Sequence, residues 1–214
     1  MFIGRFSFFI STLIFICTTS FAAQLPEIKK TKINGLDVYL VNTHIGNGVA
    51  LTVNIQGGSW HDDSIRHAGR AHLWEHVIHS GSKKFPGKEA FDKRMKRVGG
   101  SYNAYTAHNR VFFHAYFHPE GFAEAAEVLG AAVSEPEWNE ESFNAEKQNV
   151  KNEAKEYQLT DRQALISGTF LQLLPKGHPL AMYDVGTQEQ LDAISLDDLK
   201  ELYYSNYDSA SMQI

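Results

Sequence analysis

Two histidines four residues apart, with a glutamate just before the second, constrain this chain more than any other stretch. The run Ala71-His72-Leu73-Trp74-Glu75-His76-Val77-Ile78-His79 contains no glycine or proline. A helix turns once in about 3.6 residues, so His72 and His76 share a face and their imidazoles can converge on one ion. Glu75 lies on the same side, offset toward a water on the ion rather than the ion itself. The order His-x-x-Glu-His reverses the commoner zincin motif. Zinc accepts two imidazoles and a carboxylate and keeps a fourth position for water. It lowers the pKa of that water to about 7, and a carboxylate alongside can take the proton. The spacing therefore predicts a helix, a metal, and a third ligand from elsewhere.

Candidates for that ligand lie on two segments. His79 continues the stripe of His72 and His76, but three ligands from one helix crowd a tetrahedral ion. In the segment after Asn139, positions 143, 146, 150, 153 and 157 alternate spacings of three and four, as a core-facing helical stripe does. Phe143, Val150 and Tyr157 suit such a stripe. Glu146 and Glu153 do not unless cations lie beside them, since acidic side chains are rarely buried unpaired. A metal with its supporting contacts would supply the compensation; a pair of solvated ion-paired carboxylates is the plainer alternative.

Cysteine usage narrows the donor set further. Residues Phe8 to Cys17 are apolar apart from Ser11 and Thr12, Arg5 is the only charge before Glu27, and Ser20-Phe21-Ala22 offers the small residues a signal peptidase reads. Residues 1–22 therefore read as a secretory signal, too short to span a membrane comfortably, cleaved after Ala22 with Ala23 as second choice. Ile16 before Cys17 argues against a lipoprotein. Removal of the signal takes away the sole cysteine, so the mature chain has no disulfide, and a metal must use His, Asp or Glu. The reading is of an exported protein, periplasmic or secreted, with no membrane span after processing.

The 214 residues are 43% hydrophobic and 21% charged, with a formal charge of −5. That suits one soluble domain, residues 23–214, and not a nucleic-acid binder, which would show a basic excess. The run Lys83, Lys84, Lys88, Lys93, Arg94, Lys96 and Arg97 reads as a solvated helix face. Alternation predicts strands over 37–42 and 49–55, joined through Gly46-Asn47-Gly48 as a hairpin. Helices are expected over 66–80, closed by Gly81, and over 88–98, closed by Gly99-Gly100. Strands follow over 101–105 and 111–118, then a helix from Pro119 to about Val133. Asn139 caps a helix running to about Leu159, with a continuation near Leu174. Ser195 to Asp198 opens a last helix to Tyr204, and 211–214 begins a strand. The fold class is α+β, a mixed or antiparallel sheet covered by helices on one face.

From about Lys32 to Ile214 the chain resembles the N-terminal domain of the pitrilysin/insulinase family, which includes the mitochondrial processing peptidases. Gly69-Arg70-Ala71-His72-Leu73-Trp74-Glu75-His76 is similar to its Gly-x-Ala-His-x-x-Glu-His signature, with Arg70 and Trp74 as departures that touch no ligand. Gly81-Ser82-Lys83-Lys84-Phe85-Pro86 resembles the Gly-Thr-x-x-Tyr-Pro that follows. Glu146 to Glu153 resembles the second acidic motif. The resemblance implies one zinc per chain on His72, His76 and Glu153, with Glu75 as the proton-transferring residue and Glu146 supporting the site without binding metal. It makes 101–106 a sheet edge that pairs with extended peptide, with Ser101, Asn103, Ala104 and Thr106 as substrate contacts. It also implies a zinc endopeptidase acting on peptides or proteins, possessing a homologous second half or subunit, and leaves open a C-terminal truncation. A non-catalytic, peptide-binding or scaffolding subunit of the same fold is the chief rival; a small-molecule metallohydrolase is another.

Overall fold

The computed structural model describes residues 25–62, 66–160, 173–175, 178 and 184–214. The secretory signal read over 1–22 and most of the continuation toward Leu174 lie outside them. Six strands form one mixed sheet: β1 (Ile28–Ile33), β2 (Leu36–Val41), β3 (Val49–Gln56), β4 (Ser101–Thr106), β5 (Arg110–Phe117) and β6 (Met212–Gln213), in the spatial order β1-β2-β6-β3-β5-β4. All pairs are antiparallel except β2 with β6. Alternation along β5 sets its two faces. Val111, Phe113, Ala115 and Phe117 are buried, whereas Tyr116 is exposed.

The hairpin expected between β2 and β3 does not form. β6 lies between them, with Tyr39 N bonding Ile214 O at 2.6 Å and Gln56 N bonding Ser211 O at 2.9 Å. Gly46-Asn47-Gly48 marks a loop, but loop chemistry does not decide which strands pair when a distant segment competes. The tight hairpin is instead β1–β2. Asn34 and Gly35 carry φ of 50° and 89°, the two left-handed positions of a two-residue turn that matches strand twist.

Helices α1 (Arg70–Ile78), α2 (Lys88–Arg97), α3 (Phe122–Ser134), α4 (Glu140–Thr160), α5 (Gln188–Ala193) and α6 (Leu196–Asn206) supply the covering layer. α1 is shorter than its sequence pattern. Gly69, at φ 91°, is left-handed and sets the boundary. Asp62, seven residues upstream, caps the helix by accepting from Gly69 N and Ala71 N, both at 3.1 Å. The start of α1 is also pressed by another segment: a Cβ on Gly186, itself at φ 73°, would stand 2.2 Å from Ala68 O. Only glycine permits that crossing.

Trp74 anchors α1 in the core. It is fully buried and packs against Trp138, Tyr203 and Tyr207 at ring-centroid distances of 5.1, 5.4 and 5.5 Å. α4 begins where Asn139 Oδ1 accepts from Glu141 N and Ser142 N, as its sequence predicts. Phe143 and Val150 are buried on the stripe read from the sequence, and Glu146 joins them at 6% exposure. The side chain of Tyr157 lies outside the description. α5 was not anticipated, although Thr187 and Gln190 form a capping box at its start.

Candidate metal centre

α1 and α4 bring three donors together at the rim of the sheet. His72 Nε2 lies 3.9 Å from Glu153 Oε1, and His76 Nε2 lies 3.3 Å from Glu153 Oε2. One ligand atom from each of His72, His76 and Glu153 falls within 4.8 Å of the others, and this is the only such group of three among the described residues. The two imidazoles meet edge to face, with centroids 4.9 Å apart. Tetrahedral zinc with bonds of about 2.0–2.2 Å separates its donors by roughly 3.3–3.6 Å. The donor types fit zinc; the His76–Glu153 separation falls in that range, and the His72–Glu153 separation of 3.9 Å is a few tenths of an ångström beyond it.

His76 has a support on its far side, whereas His72 Nδ1 is buried without a hydrogen-bond partner. His76 Nδ1 lies 3.4 Å from Glu146 Oε2, so the bond there leaves Nε2 turned to Glu153. Glu146 also receives Asn149 Nδ2 at 3.0 Å and Lys88 Nζ at 3.2 Å. Burial works against the Glu146 charge, but His76, Asn149 and Lys88 overcome it and hold the carboxyl down at about 2. Burial, reinforced by the nearby His76, depresses His72 to about 4, so its imidazole is neutral and able to bind metal. For His76 burial is again the largest influence and lowers its pKa, yet Glu146 and Glu153 together raise it to about 9.

Glu75 sits beside the cluster and is almost buried. Its Oε2 accepts a 2.5 Å hydrogen bond from Thr106 Oγ1, at the end of β4. Burial raises the Glu75 pKa, with the Thr106 bond opposing it. β4 pairs with β5 alone and is an edge of the sheet among the described residues. Asn103, Ala104 and Thr106 line a cleft that also holds His72, Glu75, His76, Glu146 and Glu153. Ser101, at the far end of β4, is exposed and outside that lining. His79 is not part of the cluster of three. It packs among Phe91, Tyr102 and Phe113, and burial lowers its imidazole to about 4.

Sequence reasoning passed over several residues at this site. Lys88 belonged to a run read as a solvated face, yet it reaches Glu146. Asp184 and Val185 line the cleft without any motif to flag them. Thr106 was expected to meet substrate, and its hydroxyl is turned to Glu75.

A family model described as Insulinase (Peptidase family M16) matches residues 37–183. The chain belongs to this family. Family M16 is a family of metallopeptidases, and this chain is an M16 peptidase-type domain. An insulin-degrading enzyme homolog from Dictyostelium discoideum is 30% identical over 189 residues, covering 84% of this chain and 18% of that protein. A probable mitochondrial-processing peptidase subunit beta from Schizosaccharomyces pombe is 24% identical, covering 89% of this chain and 41% of the relative. This M16 chain thus spans well under half the length of these relatives. A solved peptidase M16 inactive domain from Pseudomonas fluorescens superposes with a TM-score of 0.77 at 16% identity, over 87% of this chain and 45% of its own. That likeness bears on the fold alone.

Proposed function

We propose that this domain is the zinc-binding, catalytic part of an endopeptidase that hydrolyses extended peptides. One observation carries the reading: His72, His76 and Glu153 converge in the same cleft as an edge strand and a buried glutamate. His72, His76 and Glu153 would hold one zinc. Bound there, zinc would supply Lewis acidity toward water and the substrate carbonyl. β4 offers unpaired main-chain N–H and C=O groups that pair with an extended peptide, placing its backbone along Asn103 and Ala104. Glu75 takes a proton from the attacking water and returns it to the leaving amine. Burial raises its pKa, in the direction that favours a group that must both accept and return a proton. Thr106 fixes the Glu75 carboxylate, and Glu146 fixes His76.

In the rival reading the chain has the same fold and binds peptide or scaffolds a partner without cleaving. The complete set of Glu75, His72, His76 and Glu153 favours catalysis. A homologous half or subunit would complete the substrate chamber, in keeping with a relative that is named as a subunit. The apolar amino-terminal pattern supports export to the periplasm or medium. The test is hydrolysis of a quenched fluorescent peptide by zinc-loaded protein, mixed with a homologous half. Chelator-sensitive cleavage that disappears in Glu75→Gln, with zinc retained, is expected. Cleavage that persists in Glu75→Gln would sink the mechanism, and zinc binding with no cleavage in any mixture would favour the scaffold.

A further inference from the structure

We infer that Asp184 is a specificity-determining residue that draws a lysine or arginine side chain of the substrate to one end of the cleft. The inference rests on the peptide-cleaving reading above. Asp184 and Val185 line the same cleft as His72, Glu75 and Thr106. Asp184 Oδ1 accepts a hydrogen bond from Ser59 Oγ and lies 2.8 Å from His108 Nδ1. Ser59 Oγ and His108 Nδ1 are themselves 3.1 Å apart. Ser59 is fully buried, and the Trp60 ring stacks parallel to His108 with centroids 6.1 Å apart. The segment is pinned from behind as well, where Val185 and Gly186 press on Gly69 and Ala68. The carboxylate is therefore held in one place before any substrate arrives, which is what a recognition group needs.

Ser59, His108 and Asp184 do not form a nucleophilic relay. A serine relay sets the hydroxyl and the carboxylate against different ring nitrogens of the histidine. Here the single nitrogen Nδ1 faces both, and Ser59 is sealed from the cleft. What the cluster provides is a fixed anion. The other cleft carboxylates are already engaged at the metal cluster: Glu153 with both histidines, Glu146 with His76 and Lys88, Glu75 with Thr106. Both contacts of Asp184 fall on Oδ1, leaving Oδ2 for a further donor.

The lining of the cleft suits a long cationic side chain. Val185 and Tyr105 offer apolar surface for a methylene stem, while the charged head reaches the carboxylate. Main-chain pairing with β4 carries little side-chain preference of its own. A charge-assisted bond to a preset carboxylate adds that preference.

Binding reads this without turnover. Labelled extended peptides, identical except for one lysine, norleucine or glutamate placed in turn at each position, are titrated by fluorescence anisotropy with the zinc-treated Glu75→Gln chain. At one position the lysine peptide should bind about tenfold more tightly than norleucine, with glutamate weakest. Adding Asp184→Asn should bring the lysine-to-norleucine ratio to about one, and Asp184→Lys should invert the order of lysine and glutamate. Equal binding of all three peptides to the parent chain would overturn the inference, however the variants fold. So would a uniform weakening by Asp184→Asn that keeps the ratio, since it would make Asp184 a structural tether. A lysine preference in binding, without hydrolysis by the chain that retains Glu75 when it is mixed with a homologous half, would support the inference and count against the peptidase reading.

Discussion

Thr106 Oγ1 donates to Glu75 Oε2 across the junction between β4 and α1, at 2.5 Å. The last residue of the edge strand thus holds the group proposed to move the proton. A peptide that pairs along β4 would meet a carboxylate whose orientation is fixed by the same strand. Thr106→Val keeps the β-branched shape and removes only the donor. The expected outcome is a kcat about tenfold lower with zinc content unchanged, because a buried carboxylate loses its one side-chain hydrogen bond. Steady-state kinetics beside metal analysis checks it. An unaltered kcat would show that Glu75 needs no such support.

The two glutamates of α4 should separate in metal analysis. Glu153 faces both Nε2 atoms, whereas Glu146 faces His76 Nδ1 and Lys88. His76→Ala should abolish stoichiometric zinc, and Glu153→Gln should weaken its binding strongly. Glu146→Gln should retain most of the metal and lose about 10–100-fold in activity, as loss of a supporting contact does. Inductively coupled plasma mass spectrometry on dialysed protein decides the matter. If Glu146→Gln sheds zinc as readily as Glu153→Gln, the two roles are reversed.

What the sequence could carry, and what it could not, follows from the range of the interactions. His72, Glu75 and His76 are fixed by helical spacing within one turn, so their shared face was readable from the chain. The stripe holding Glu146 and Glu153 was readable for the same reason. Pairings between distant segments were not. No local pattern announces that Met212–Gln213 inserts between β2 and β3, or that Lys88 reaches Glu146. The start of α1 was misplaced because its cap is Asp62, outside the helix's own first turn. The capping box of α5 was present in the sequence as Thr187 and Gln190 and was passed over.

The Asp62 cap gives a stability prediction that also touches the site. Its side chain has no exposure and accepts from Gly69 N and Ala71 N, with Arg70 Nε 3.6 Å away. Asp62→Ala strips the acceptors from two helix-terminal N–H groups and leaves the Arg70 guanidinium its bond to His61 O but no carboxylate at Nε. Stability should fall by about 2–3 kcal/mol. Urea unfolding of the zinc-free chain measures this without interference from metal. A loss below about 0.5 kcal/mol would mean that water replaces the carboxylate at the N-terminus of α1.

The cleft around His72, His76 and Glu153 is open to solvent. Among the described residues its walls come from α1, α2, α4, β4 and the short stretch around Asp184. Two of the three candidate ligand side chains remain wet: His76 is 25% exposed and Glu153 32%. Peptide hydrolysis needs the scissile bond held in position and bulk water kept away, and poor positioning alone costs orders of magnitude in rate. The chain spans only 18% and 41% of two relatives whose names mark them as a degrading-enzyme homolog and a processing-peptidase subunit. On the proposed reading a homologous half would supply a further wall. The zinc-loaded chain by itself should therefore cleave an unstructured peptide slowly, and a homologous half lacking the His-x-x-Glu-His motif should raise its rate at least about tenfold. The monomeric fraction from size-exclusion chromatography is assayed alone and after mixing, with a chelator control in each case. Fast, chelator-sensitive cleavage by the monomer alone would show that this domain is sufficient and that the second wall contributes nothing to the chemistry.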